Sequence, residues 1–470
     1  MALCRSGFFN SKTEVYSMIR LSILAAATIV ALGASSIADA GGRPDLVKRD
    51  LQRGKQYAAG QMIIQYRSFA TDKDKQRVQN VLGGNRAELL GSRGGRMNLR
   101  GDLELVQFAA GTTMQSKLDA ILNDPAVDFA EPNWLVRHMA VSNDPYFTDG
   151  TLWGMYGSAT APANQYGSGA GSAWARGADC SNVVVGIIDE GYMYTHPELA
   201  ANAYKNPGET AGNGRDDDGN GLVDDVYGWD FANNDNTVYD GAGDDHGTHV
   251  AGTIGATGGN GAGVAGVCWN IKLMSAKFLG NRGGTTANAI KAVDYFTGLK
   301  NKGVNIVATN NSWGGGGFSQ GLADAIERAN SADILFIAAA GNDGTNNDTT
   351  PSYPSGYASA NIVAVAALQS DGGLAYYSQY GATTVDIGAP GSAVMSTVPV
   401  SSKCKVIPGY ASYSGTSMAT PHVTGAAALY KARNPGATAA QIKAALLNGT
   451  STPSLQGKVA TGDRLDISAW

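Results

Sequence analysis

The feature that most restricts this chain is a set of short runs that stay apolar instead of alternating: Val183–Ile188, Val304–Ala308, Ile334–Ala338 and Ile362–Ala366. A strand that is apolar at nearly every position has both faces buried, which happens where helices cover a parallel sheet on both sides. Helical periodicity lies between these runs, over Thr286–Leu299 and Gln320–Asn330. Residues from about 141 to 470 are therefore expected to form an α/β domain, a doubly wound, mostly parallel sheet with helices on both faces. Such sheets carry their sites at the carboxyl ends of the strands. The composition agrees, with 43% hydrophobic residues for a sizeable core and 63 glycines among 470 residues without a Gly-x-y period. A net charge of -5 supplies no bulk attraction for nucleic acid, and no nucleic-acid partner is expected.

The first 40 residues read as a signal peptide: Arg20, the apolar run Leu21–Leu32, and the exit Ala38, Asp39, Ala40, with Met18 as an alternative start. The run is too short for a membrane span, which needs about 20 residues. The protein is expected to be secreted, monomeric and without a membrane span. Removal of Cys4 leaves Cys180, Cys268 and Cys404, which allows one disulfide and one free thiol with the pairing open. Residues 41–140 form a separate segment whose core, about 60–137, reads as a small α+β domain. Strands are expected at Met62–Tyr66, Leu103–Phe108 and Val127–Ala130, helices at Asp72–Leu82 and Met114–Leu122, and a further strand fits near Glu88.

Five segments carry residues suited to chemistry. Asp189 directly follows the run 183–188 and precedes Gly191, which puts an acid at the crevice; a turn-forming Asp is the plainer alternative. His246 and His249 lie in Asp245–Thr253, at the start of a helix of small residues, without the His-Glu-x-x-His order of zinc hydrolases. One of them is better read as a general base, and spacing does not say which. Ser417, in Ser414–Val423, opens a helix with little side-chain bulk, next to amide groups that stabilise a forming anion. Pro421 is expected in the first turn of that helix, where its missing N–H removes no bond. Asn342 ends another apolar strand and offers a side-chain NH2. Ser312, Trp313 and Gly314 begin a glycine run along which an extended ligand would lie close to the backbone.

Together these segments resemble the subtilisin-like serine proteases, or subtilases. The likeness rests on Asp189 with Gly191, on His246–Thr253 and on Gly415–Val423, in that order along the chain. It covers about residues 144–470. It implies a subtilisin-like fold and a serine endopeptidase acting on protein or peptide substrates through an acyl-enzyme. Asp189, His246 and Ser417 would form the triad, Asn342 would donate to the oxyanion, and Ser312, Trp313 and Gly314 would pair with substrate backbone. His249 then becomes structural. The unit ending in Ala130–Trp134 resembles the family's inhibitory propeptide, which implies a zymogen whose own propeptide is an intramolecular inhibitor, cleaved between about His138 and Asp144. Position 190 is Glu where the family usually has Thr or Ser, which leaves a catalytically silent binding module as the alternative.

Asp216, Asp218, Asn220, the Leu222 carbonyl and Asp224 offer oxygens at alternate positions of Asn213–Asp225. Position twelve of that loop is Tyr227, not a bidentate Glu, so a structural Ca2+ loop is expected rather than an EF-hand. The resemblance implies a second calcium site at Glu198 and Asn260, with Asp144 as a third ligand. Gly261–Gly266 spells G-x-G-x-x-G but lacks the preceding strand and the later acid, so nucleotide binding is rejected.

Overall fold

The computed structural model describes residues 42–52, 57–91, 101–109, 113–134, 142–177, 179–280, 282–403 and 405–470. The expected signal peptide, most of the expected maturation segment and Cys404 lie outside these residues. The chain divides into two units, 1–136 and 137–470.

In the first unit the elements are α1 (Pro44–Gln52), β1 (Tyr57–Tyr66), α2 (Asp72–Leu82), β2 (Gly84–Gly91), β3 (Leu103–Phe108), α3 (Met114–Ile121) and β4 (Val127–Trp134). The sheet runs β2-β3-β1-β4 with antiparallel neighbours, and β2 is the strand expected near Glu88. Helix α2 starts because Thr71 and Asp74 exchange a capping box, and stops at Gly83 in the left-handed region. Val78, Leu82, Leu118 and Ile121 of the helices share one core with Met62, Ile64 and Val106 of the strands.

The second unit opens with two short helices, α4 (Pro145–Thr148) and α5 (Ala170–Trp174), whose Phe147 and Trp174 enter the core. Then follow β5 (Val184–Asp189), β6 (Gly228–Asp230), α6 (Asp245–Gly255), β7 (Lys272–Lys277), α7 (Thr286–Asn301), β8 (Ile306–Asn311), α8 (Gln320–Ser331), β9 (Leu335–Ala339), β10 (Ile362–Leu368) and β11 (Ile387–Pro390). The hairpin β12 (Val394–Ser402) and β13 (Lys405–Tyr413), then α9 (Thr416–Arg433), α10 (Ala439–Leu447), β14 (Thr450–Ser451) and β15 (Asp463–Arg464), complete it. The main sheet has the order β14-β15-β11-β10-β9-β8-β5-β7-β6, parallel except for β14.

Both faces of β5 are apolar because each meets a different core. Val185 and Ile187 join Val250 and Ile254 of α6 and Val423 of α9, while Val184 and Ile188 join Phe296 of α7 and Ile326 of α8. Each such buried side chain stabilises the fold by roughly 1.5–3 kcal/mol, and Phe296→Ala would cost about 3–5 kcal/mol. Helix α9 is buried from Met418 to Leu429, and only small residues let a helix sit so deeply among strands and neighbouring helices. Cys180 and Cys268 form a disulfide, Cα–Cα 6.1 Å, which answers the open pairing and ties the entry of β5 to the approach of β7. Among the described residues, no helix is long and apolar enough to cross a membrane.

Candidate active site

Asp189 is the last residue of β5, not the first beyond it, and is fully buried. Its Oδ1 accepts from His246 Nδ1 at 2.9 Å and from the Glu190 amide at 2.8 Å, while Oδ2 is buried without a hydrogen bond. Helix α6 carries His246 in its first turn, pressed against the turn after β5. That approach requires glycine twice: a Cβ on Gly247 would collide with the Gly191 carbonyl, and Gly191 itself has φ +97°.

The capping of α6 is unusual. Its N-cap residue Asp244 makes no cap bond, because Lys277 Nζ and the Asp240 amide, both at 2.6 Å, occupy its carboxylate. The Glu190 carboxylate takes over: Oε1 accepts from the His246 amide at 2.6 Å and the Gly247 amide at 3.4 Å. A helix N-terminus favours such a negative charge.

Burial disfavours a charged His246 ring, but the Asp189 charge and hydrogen bond, with Glu190 and Asp245 behind them, prevail and raise it to about 9. Burial first, and the Asp189 charge second, push the Glu190 carboxyl up to about 7. His249 lies one turn on in the same helix and meets a different environment. Its Nε2 bonds the Val394 carbonyl at 2.9 Å, its ring stacks on Tyr413 at 4.6 Å, and burial lowers it to about 3. Of the two histidines, His246 is the one hydrogen-bonded to a carboxylate.

Ser417 sits in the first turn of α9. Its Oγ donates to the Ser312 carbonyl at 3.1 Å, and Ser312 Oγ donates to the Ser417 carbonyl at 2.8 Å. Among the described residues no hydrogen bond joins Ser417 Oγ to His246. Pro421 lies in the second turn, contrary to the expectation of a first-turn position. It has no N–H for the Ser417 carbonyl four residues back, and the Ser312 hydroxyl fills that place. Asn342 Oδ1 accepts from the Thr416 amide at 2.8 Å and the Thr416 hydroxyl at 3.0 Å. With its oxygen so anchored, the amide keeps its NH2 beside Gly415 at the start of α9, without a hydrogen-bond partner among the described residues. Ser312, Trp313 and Gly314 directly follow β8; Trp313 packs on Phe278 at 4.8 Å, and the glycine run beyond is exposed.

The expected calcium ligands fall into two groups. Glu209, Asp216 and Asp218 bring carboxylate oxygens within 4.8 Å of one another, and Glu209 Oε2 is buried without a hydrogen-bond partner. That orphaned acceptor fits a cation. Glu209 was missed because it lies upstream of the alternating run. Asn220 is turned to Asp225 and to the Leu222 amide at 3.0 and 2.7 Å. Asp224 accepts from the amides of Gly212, Asn213 and Gly214, so its carboxylate organises the loop itself. In the second group, Glu198 accepts from Asn260 Nδ2 and the Tyr410 hydroxyl, both at 2.9 Å. Asp144 accepts from the amides of Gly259, Asn260 and Gly261 at 2.7–3.1 Å. Protein donors serve these oxygens, and among the described residues this group has no orphaned acceptor like Glu209 Oε2 that fits a cation.

A model of the subtilase family matches residues 180–462, and one of the fervidolysin N-terminal prodomain matches residues 47–133. Thermitase of Thermoactinomyces vulgaris is 35% identical over 323 residues, 67% of this chain and 96% of thermitase. An alkaline protease of Shouchella clausii is 37% identical over 333 residues, 70% of each chain. An extracellular protease of Xanthomonas campestris is 34% identical over 367 residues, 75% of this chain and 59% of that protein. A protease structure from Pseudoalteromonas arctica PAMC 21717 superposes with a TM-score of 0.55 at 32% identity, covering 70% of this chain and 98% of that one.

Proposed function

Because this chain belongs to the subtilase family, with a serine endopeptidase domain behind an N-terminal prodomain, we propose that Asp189, His246 and Ser417 carry out its peptide-bond hydrolysis. The observation that carries this reading is the 2.9 Å bond between His246 Nδ1 and the buried Asp189. It fixes the tautomer that leaves Nε2 as the base. Ser417 Oγ leaves the Ser312 carbonyl, passes its proton to His246 and attacks the scissile carbonyl; hydroxyl contacts of this kind tighten only with substrate in place. Asn342 NH2 and the Ser417 amide hold the oxyanion, one such donor contributing about 2.7–4 kcal/mol. His246 then protonates the leaving amine, and water resolves the acyl-enzyme by the same route. Ser312, Trp313 and Gly314 align the substrate backbone.

The protein is secreted as a zymogen. The Cys180–Cys268 disulfide suits an oxidising compartment, and relatives are named extracellular proteases. The N-terminal unit acts as intramolecular inhibitor and is removed between about His138 and Asp144. Glu209, Asp216 and Asp218 would hold a calcium ion, whose contribution is to neutralise the loop's crowded carboxylates.

A fluorophosphonate probe tests the central reading. Mature protein should be labelled, and Ser417→Ala should abolish both labelling and peptidase activity. Absence of labelling in processed, calcium-loaded protein would overturn it. Active enzyme should begin near residue 140; fully active material still carrying residue 60 would overturn the zymogen reading.

A further inference from the structure

We propose that Glu190 is a positioning residue for the hydrolysis, capping α6 at the amide of the catalytic His246 and, as a second negative charge beside its ring, moving the working pH range of the enzyme upward. The inference rests on the role of His246 proposed above.

Five contacts carry it. The residue placed to cap α6, Asp244, is held by Lys277 and the Asp240 amide. Glu190 Oε1, arriving from the turn after β5, meets the His246 and Gly247 amides in its stead. Lys277 Nζ also holds the Glu190 carbonyl at 2.6 Å, so backbone and side chain of residue 190 are both fixed. The same dipeptide therefore grips His246 twice, Asp189 at the ring and Glu190 at the backbone.

The charges around the ring are few. Asp189 and Glu190 come from the end of β5, and Asp245 from α6 itself, tied at 2.5 Å to the Tyr413 hydroxyl of β13. Lys277, from the end of β7, is committed to Asp244 at 2.6 Å and Asp240 at 3.1 Å. A base must be neutral to accept a proton, so activity falls as pH drops through the value at which His246 protonates. Every anion beside the ring raises that value. Glu190 itself loses its proton near 7, so it is ionised over the range in which His246 titrates.

Glu190→Gln keeps an acceptor for the His246 amide and removes the charge. The acid limb of kcat/KM against pH should move down by about half to one unit, with plateau kcat changed less than about twofold. Glu190→Ala removes cap and charge together. It should show the same shift and also a roughly three- to tenfold lower plateau, because the catalytic ring loses the backbone anchor that positions it. An unmoved limb in both variants would overturn the proposal, as would a change confined to KM. Fluorophosphonate labelling of both variants, set against Ser417→Ala, keeps this separate from the triad assignment. If the wild type labels and the limb does not move, only the role of Glu190 fails.

Discussion

Two regions of the second unit crowd carboxylates together and resolve the crowding differently. At the tip of β5, Asp189 and Glu190 are adjacent in sequence, yet one is answered by an imidazole and the other by helix amides. In the loop from Asn206 to Asp225, amides and Lys302 answer part of the charge, and Glu209 Oε2 is left with nothing. The difference shows what an acidic residue in a motif can mean. Where the fold supplies the donors, the carboxylate is held by the protein itself. Where the fold falls one donor short, a cation is the natural complement. Glu198 and Asp144 belong with the first kind, since protein donors already satisfy them.

The contrast can be broken most sharply at the rim. Asp189→Asn should lower kcat about 10⁴-fold by misorienting the His246 tautomer, and added calcium should not restore it; restoration would erase the distinction between the regions. Asn342→Leu should lower kcat roughly 10²–10³-fold with little change in KM. For the wild type, the acid limb of kcat/KM should lie well above 6.5, toward the value of about 9 for His246, because the imidazole must first shed its proton. A limb near 6.5 would mean that the flanking anions do not act on the ring.

The loop should respond to a different handle. EDTA should lower the melting temperature by a few degrees, on the order expected when a ligand is bound well above its Kd, and Glu209→Gln should abolish that response. The smallest effect is expected at Glu198. Glu198→Gln should leave the EDTA response intact, whereas its loss would return the second group to the list of cation sites.

How far the sequence could be read depended on how local each feature is. The strands and helices of both units were visible wherever apolar periodicity governs burial. Strand β8 runs to Asn311, beyond the apolar run, because Thr309, Asn310 and Asn311 are buried in a central strand, where the Asn310 and Asn311 side-chain amides donate internally, to Ser312 and Thr309. The hairpin β12–β13 went unread because its outer strand mixes polar residues with Pro408 and Gly409. The candidate triad was visible through its motifs. Glu190 was visible only as an added charge, since the amides it caps lie 56 and 57 residues further on. Position along the chain gave no sign that Asp244 was already taken.

The ring at position 421 removes one rung from the ladder of α9, and an alcohol from beyond β8 replaces it. The peptide of Ser417, the proposed nucleophile, is thereby tethered crosswise to Ser312, in the segment proposed to align the substrate. On that proposal, a poorly seated chain that pushed on the segment would pull on residue 417 as well, and how the substrate rests would bear on where the Ser417 hydroxyl points.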